Sequence, residues 1–162
     1  MKKQKFAIGA VVFWCVMALS GAAWCGDNGR DTAAAPGAPW SGDNGNGTVT
    51  VNGLVWLKDA GCLGFTNWSD AMARPKTLAN GQCGLTDKSK AGDWRLPNID
   101  ELKAIYSSKS QFKGVQTWFY WSSTPRKLYG ADYAGVVFMP NGDVSYQNKM
   151  GFLYVWPVRA GQ

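Results

Sequence analysis

The sequence predicts an α+β domain, with two short helices packed on a mostly antiparallel β-sheet and one disulfide. Three observations carry that reading. From Thr48 onward, short apolar segments are separated by Asn-Gly and Pro-Asn-Gly turn signals. Two stretches switch to helical spacing, each opened by an asparagine. Two cysteines, Cys62 and Cys83, lie within the body of the domain.

The chain opens with Lys2, Lys3 and Lys5, continues with an apolar run from Phe6 to about Leu19, and then turns to Ser20, Gly21, Ala22 and Ala23. That order is expected of a secretory signal peptide over residues 1–25, with cleavage after Ala22, Ala23 or Cys25 all compatible. The run is shorter than the roughly 18–20 apolar residues a membrane span needs. Trp24 before Cys25 and Trp14 before Cys15 are unsuited to lipidation, which wants a small residue there. The expected location is therefore outside the cytoplasm: periplasmic, cell-surface or secreted. Residues 26–45 read as a flexible linker rich in Gly, Asp, Asn, Ala and Pro, with Trp40 its one large apolar residue. It holds no Gly-X-Y repeat, so no collagen stalk is expected. Residues 46–162 form the single predicted domain.

Within it, Thr48-Val49-Thr50-Val51 alternates like a strand, and Asn52-Gly53 is a strong hairpin turn. Leu54-Val55-Trp56-Leu57 returns as a wholly apolar partner, expected to be buried on both faces. A helix from Asn67 or Ser69 places Trp68, Ala71 and Met72 on one side. Pro75 is expected to break or kink it, because a mid-helix proline costs about 3 kcal/mol. Leu78 is placed in a second turn, closed by Asn80-Gly81. Asn98 and Glu101 stand three residues apart like a capping box, followed by a stripe of Ile99, Leu102 and Tyr106 with Ile105 at its edge. This helix should end near Ser107-Ser108. The remaining predicted strands are Trp118 to Ser123, Tyr133 to Met139, Val144 to Asn148 and Phe152 to Val158, with Pro140-Asn141-Gly142-Asp143 as a hairpin turn. In an oxidising compartment Cys62 and Cys83 are expected to pair, and closing a loop of that length contributes about 3 kcal/mol. Cys25, if it survives processing, is an odd thiol able to cross-link partners.

Catalysis is not expected. The chain has no histidine, which removes the commonest general base and the leading zinc ligand. Glu101 is the sole glutamate and reads as a helix cap. No spacing nominates an aspartate pair, and the cysteines are committed to each other. No cofactor motif is present. Asp43-Asn44-Gly45-Asn46-Gly47 has the hard oxygens of a calcium loop but lacks a downstream bidentate carboxylate, and reads first as a turn.

Charge and aromatics remain. The net charge is +6. From Asn44 to Gln162 there are 13 Lys and Arg against 8 Asp and Glu, so the domain itself carries +5. A basic exported domain favours an anionic partner, such as an acidic polysaccharide, a lipid head group or stray nucleic acid, with no specific nucleic acid expected. Lys103, Lys109, Lys113, Arg126 and Lys127 are the candidate contacts, since Lys109 to Lys127 spans the least patterned, most loop-like part of the domain. Any of Trp40, Trp56, Trp68, Trp94, Trp118, Trp121 and Trp156 left exposed beside polar groups would suit stacking on a sugar ring, as would Tyr120 or Tyr129.

Several segments, taken together, resemble one family. They are Asn46-Gly47-Thr48-Val49-Thr50, Gly53-Leu54-Val55-Trp56-Leu57-Lys58-Asp59-Ala60, Asn67-Trp68-Ser69-Asp70-Ala71 and Gly81-Gln82-Cys83-Gly84-Leu85. Ala91-Gly92-Asp93-Trp94-Arg95-Leu96-Pro97-Asn98 then leads to Glu101-Leu102, followed by Tyr120-Trp121-Ser122-Ser123-Thr124 and Tyr154-Val155-Trp156-Pro157-Val158-Arg159. In order and spacing these resemble the Lcl C-terminal domain family, named for the C-terminal domain of the Legionella collagen-like adhesin. The resemblance implies a bacterial exported or surface protein, and its named member binds glycosaminoglycans and self-associates. Pro75 departs from the pattern, because family members continue that helix. The Trp-Arg-Leu-Pro and Trp-Pro-Val-Arg segments are also similar to the C-type lectin-like fold in the variant of the formylglycine-generating enzymes. Neither the calcium sugar-binding signatures of true C-type lectins nor the catalytic cysteines of formylglycine generation are matched. Trp94, Arg95, Trp121, Trp156 and Arg159 are assigned to the fold, with Arg95 or Arg159 pairing a carboxylate such as Asp93 or Glu101.

Two functions follow as expectations. The first is an adhesin-like module binding acidic polysaccharide of glycosaminoglycan type. The second is a structural or assembly protein of the envelope or surface that contacts other envelope components or further copies of itself.

Overall fold

The computed structural model describes residues 41–128 and 131–161. The expected signal peptide, most of the expected linker, Cys25, Trp40 and Tyr129 lie outside them. The order is β1 (Gly42–Asp43), β2 (Thr48–Val51), β3 (Leu54–Leu57), β4 (Phe65–Thr66), α1 (Trp68–Thr77) and α2 (Ile99–Ala104). A 3-10 helix (Ile105–Gln111) follows, then β5 (Phe119–Leu128), β6 (Ala131–Phe138), β7 (Asp143–Asn148), β8 (Leu153–Tyr154) and β9 (Val158–Ala160). The strands form two sheets, β1-β2-β3-β9 and β4-β8-β5-β6-β7. All pairings are antiparallel except β5 with β8. The architecture is the α+β class expected.

The first hairpin forms as its turn chemistry dictates. Asn52 and Gly53 both take positive φ, 52° and 76°, the geometry that matches the right-handed twist of the flanking strands. Val55, Trp56 and Leu57 are all buried, so β3 is covered on both faces. β1 lies inside the stretch expected to be linker, because Gly42 and Asp43 pair with Thr50 and Val49.

Pro75 does not end its helix. α1 continues to Thr77 with Pro75 buried inside it. Only two helical residues follow the proline, so few hydrogen bonds are at stake, and its ring contributes apolar burial instead. Leu78 caps the helix and is 2% exposed. α2 carries the expected capping box on Asn98 and Glu101. The α-helix stops at Ala104, however, and the 3-10 helix carries the chain on to Gln111. Leu102 and Ile105 are the residues of this stripe that reach the core, while Ile99 and Tyr106 pack partly buried against it.

Two strand expectations change. β5 is longer than expected and runs to Leu128, with a register shift between Trp121 and Pro125. A proline has no N–H for the ladder, and an irregularity of this kind accommodates it. The stretch expected as one final strand divides between the sheets. β8 pairs with β4 and β5, then Trp156-Pro157 carries the chain across, and β9 pairs with β3. Trp156 Nε1 donates to Leu57 O at 2.9 Å and Leu57 N donates to Pro157 O at 3.2 Å, stitching the crossing to the first sheet.

Cys62 and Cys83 form the disulfide, which ties the segment before β4 to the loop after α1. The five-stranded sheet is covered on both sides. Ala134 and Val136 of β6 face the cluster that holds Ala71 of α1. Val137 faces the cluster that holds Leu102 and Ile105. Gly135 lets α2 approach this second face, since a β-carbon there would meet Ser122 Oγ at 2.9 Å and Ile99 Cδ1 at 3.2 Å.

Candidate functional site

The charged and aromatic groups of the segments quoted above sort first into those that hold the fold. Arg95 grips Glu101 through two bonds, Nη1 to Oε2 and Nη2 to Oε1, each 2.7 Å. The guanidinium holds the Glu101 carboxyl below the usual carboxylate range, and the Asn98 backbone N–H adds to the effect. Arg159 pairs not with Asp93 or Glu101 but with Asp87, at 3.1 Å, and that carboxylate side chain is fully buried. The Arg159 guanidinium lies 5.4 Å from the centre of the Trp94 ring. Asp93 instead accepts from the Lys90 backbone N–H. Trp68, Trp121 and Trp156 each spend the indole N–H on a backbone carbonyl. These contacts commit the residues to the architecture.

The calcium-like loop is similarly occupied. Asp43 pairs with Lys58 and accepts from Gly45 N, which together lower its pKa. Asn44 and Asn46 bond to Thr48. Among the described residues no group of three or more His, Cys, Asp or Glu is placed to hold a metal ion. The loop works as the turn between β1 and β2.

The five candidate cations divide. Lys109 lies on the 3-10 helix, not on a loop, and donates to Met139 O at 2.6 Å and Pro140 O at 3.4 Å. Its ammonium also sits 4.1 Å from the Tyr106 ring centre. Lys103 is exposed on α2, one turn before Tyr106. Arg126 and Lys127 belong to β5 rather than to a loop. Arg126 stands opposite Tyr133, and its guanidinium lies 4.2 Å from the Tyr146 ring. Directly opposed residues share a face, so Arg126, Tyr133, Gly135 and Tyr146 lie on the α2 side of the sheet. Lys127, next along the strand, points to the other face. Lys113 is exposed but turned toward Asp59, 3.8 Å away. The fold therefore brings Lys103, Lys109 and Arg126 to one side of the β6–β7 hairpin, and leaves Lys113 and Lys127 apart. About 13 Å of β7 separates the turn near Lys109 from Tyr146 beneath Arg126.

The aromatics give a different picture from the one expected. Tyr120 is fully buried, and burial pushes its hydroxyl up to about 12. It is therefore no exposed stacking residue. Among the described residues the exposed rings are Trp118 at 48%, Phe65 at 48% and Phe152 at 55%. Trp118, Phe65, Tyr154, Gln116 and Thr117 line a groove of about 300 Å³ at the β4–β8–β5 end of the sheet. A smaller hollow of about 190 Å³, lined by Lys109, Val115, Gln116, Thr117, Met139 and Pro140, adjoins it. Sequence reading placed Trp118 among several tryptophans without separating it, and passed over Phe65 and Phe152. The available signal was their setting, with Gly64 and Gly151 directly before the two phenylalanines.

No curated protein matches the chain. Among solved structures it is similar to a complex of the von Willebrand factor A1 domain with botrocetin, at 8% identity and a TM-score of 0.41, over 71% of this chain and 97% of that one. A family model described as the Lcl C-terminal domain matches residues 47–159, from the first strand of the hairpin through Arg159 of β9. The match takes in both helices, the disulfide and both sheets apart from β1 and the last residue of β9, and the chain belongs to the Lcl C-terminal domain family.

Proposed function

We propose that this protein is an exported, adhesin-like binding module that recognises acidic polysaccharide of glycosaminoglycan type. One observation carries the reading. Lys103, Lys109 and Arg126 share one side of the β6–β7 hairpin, and none forms an ion pair with a carboxylate among the described residues. Two of the three rest on tyrosine rings, which fixes a cation in place without neutralising it. Such a face meets sulfate and carboxylate groups spaced along a chain, where Arg offers a fork and Lys a point charge. Family membership and the basic balance of the domain support the same reading. No catalytic step is part of it, since the one glutamate is held by Arg95 and there is no histidine. It calls for no cofactor.

The test is heparin-affinity chromatography set against a plain cation exchanger. The expected result is elution from heparin at higher salt than from the exchanger. Charge reversal at Lys103 and Arg126 should remove most of that difference, while reversal at Lys127 changes both columns equally. Matched elution of the unaltered chain from the two columns would reject the proposal. The other reading, an assembly protein of the envelope, draws on the exposed Phe152 and Met150, 55% and 82% exposed. Light scattering that finds a stable oligomer with no heparin preference would favour it.

A further inference from the structure

The geometry points to a second element of the same binding surface: the Trp118–Phe65–Tyr154 groove is a ring-stacking subsite for a pyranose whose acidic substituent lies toward Lys109. This inference rests on the acidic-glycan reading and adds where the neutral part of the sugar is held. Three observations bear it.

The first is adjacency. Gln116 and Thr117 line both the aromatic groove and the hollow that holds Lys109. One short segment therefore separates an uncharged aromatic surface from an ammonium group. An acidic sugar has this same division, with an apolar C–H face on the ring and a charge on one substituent.

The second is the lining. Three rings, Phe65, Trp118 and Tyr154, are joined by Gln116 and Thr117, so the polar groups are one amide and the hydroxyls of Thr117 and Tyr154, and no charged side chain is among them. Aromatic faces suit C–H surfaces, and the polar groups suit ring hydroxyls. The volume, about 300 Å³, lies at the lower end for small-ligand sites, so it fits one or two sugar rings and not a peptide segment. A second copy of the chain as occupant would bring like net charge to a basic domain.

The third is pre-organisation. Trp118 is half exposed yet its backbone is pinned, because Met139 N donates to Trp118 O at 3.1 Å. Gln116 N donates to the buried Tyr120 hydroxyl at 2.8 Å, and Gln116 Nε2 donates to Gly114 O at 2.9 Å. Tyr154 packs on Tyr120 at 5.5 Å and on Phe65 at 5.1 Å between ring centres. The groove is thus held in shape before a ligand arrives, which lowers the cost of binding.

The experiment titrates the purified chain with a heparin-derived hexasaccharide, following the Trp118 indole N–H resonance and the affinity at several salt concentrations. The Trp118 resonance should shift. Trp118→Ala and, separately, Phe65→Ala should each weaken affinity about tenfold with the salt dependence unchanged. Lys109→Gln should instead flatten the salt dependence. Both aromatic positions are half exposed, so the variants should keep the thermal transition of the parent. A hexasaccharide that binds the two aromatic variants at parental affinity, and leaves the Trp118 indole of the parent silent, overturns the subsite and leaves the acidic-glycan reading standing. A parent chain that binds no hexasaccharide at any salt overturns both. A fall in oligomer mass on Trp118→Ala with affinity unchanged assigns the groove to contact between copies and overturns the subsite.

Discussion

Replacing Glu101 with Gln removes one charge and keeps the length and planarity of the side chain. In the parent, Glu101 accepts two bonds of 2.7 Å from Arg95 and one of 2.8 Å from the Asn98 backbone N–H. Its own N–H donates to Asn98 Oδ1 at 2.8 Å. An amide oxygen still accepts from Asn98, so Glu101→Gln loses the charge on Arg95 but keeps a neutral cap. The Arg95 side chain is 45% exposed and that of Glu101 18%, so solvent screens the pair and its full Coulomb energy does not apply. An exposed pair contributes up to about 1 kcal/mol, and bidentate geometry places this one at the top of that range. We expect Glu101→Gln to lose about 1 kcal/mol, and Glu101→Ala, which also breaks the capping box, about 2 kcal/mol. The pair also bears on tertiary structure, because Arg95 exchanges two backbone bonds of 2.9 Å with Val158 of β9. The assay is urea denaturation with the disulfide intact, reading the midpoint at constant slope. Its pH dependence has a fixed sign. The folded-state pKa of Glu101 is depressed, with the Arg95 bond the largest cause. The stabilisation is therefore present above the unfolded carboxyl value and lost as pH falls through the folded one. Parent and Glu101→Gln should differ at neutral pH and converge in acid. Equal stability at neutral pH, or a deficit that persists undiminished below the carboxylate range, would refute the reasoning.

Two further perturbations test the rest of the frame. Asp87→Asn leaves Arg159 without a counter-charge in a site where the carboxylate side chain is 0% exposed and the guanidinium side chain 12%; we expect a loss of about 3 kcal/mol, read as a lowered urea midpoint, and a loss within error would mean that water reaches the pair. Replacing Cys62 and Cys83 together with Ala opens a loop of sequence separation 21 and should cost about 3 kcal/mol, seen as the same loss when the parent is unfolded under reducing conditions; a reduced parent as stable as the oxidised one would remove the disulfide from the list of stabilising elements.

How legible this was depends on how local each signal is. Asn52-Gly53, the Asn98–Glu101 box and the all-apolar Leu54–Leu57 are set by neighbours within a few residues, and each formed as its local chemistry requires. Pro75 does not break its helix, because the local rule applies to a proline in the middle of a helix, while its cost here is set by position near the end and by burial against the core. The final strand was misjudged for a related reason. Seven mostly apolar residues look the same whether they serve one sheet or two, and it is Pro157, with the backbone bond that Leu57 donates to it, that turns the chain from β8 to β9.

The site was less legible than the fold because it is made by tertiary adjacency. Nothing near Lys109 in sequence indicates that its ammonium will be held by the carbonyls of Met139 and Pro140, or that Thr117 will join its hollow to the face of Trp118. Charge counting names the cations and could not say which of them share a face. That was decided by the register of β5 on β6, which turns Arg126 toward α2 and Lys127 away. Aromatic counting had the same limit. Tyr120 and Trp118 lie two residues apart, Tyr120 in β5 and Trp118 just before it, and one is fully buried while the other is half exposed. The two are nonetheless coupled, since the buried Tyr120 hydroxyl holds the Gln116 backbone that shapes the groove beside Trp118. Tyr120, expected as a stacking candidate, is instead a buried residue that holds the backbone of the groove, and Tyr120→Phe would separate shape from contact in the proposed subsite: the groove would keep its rings and lose its anchor.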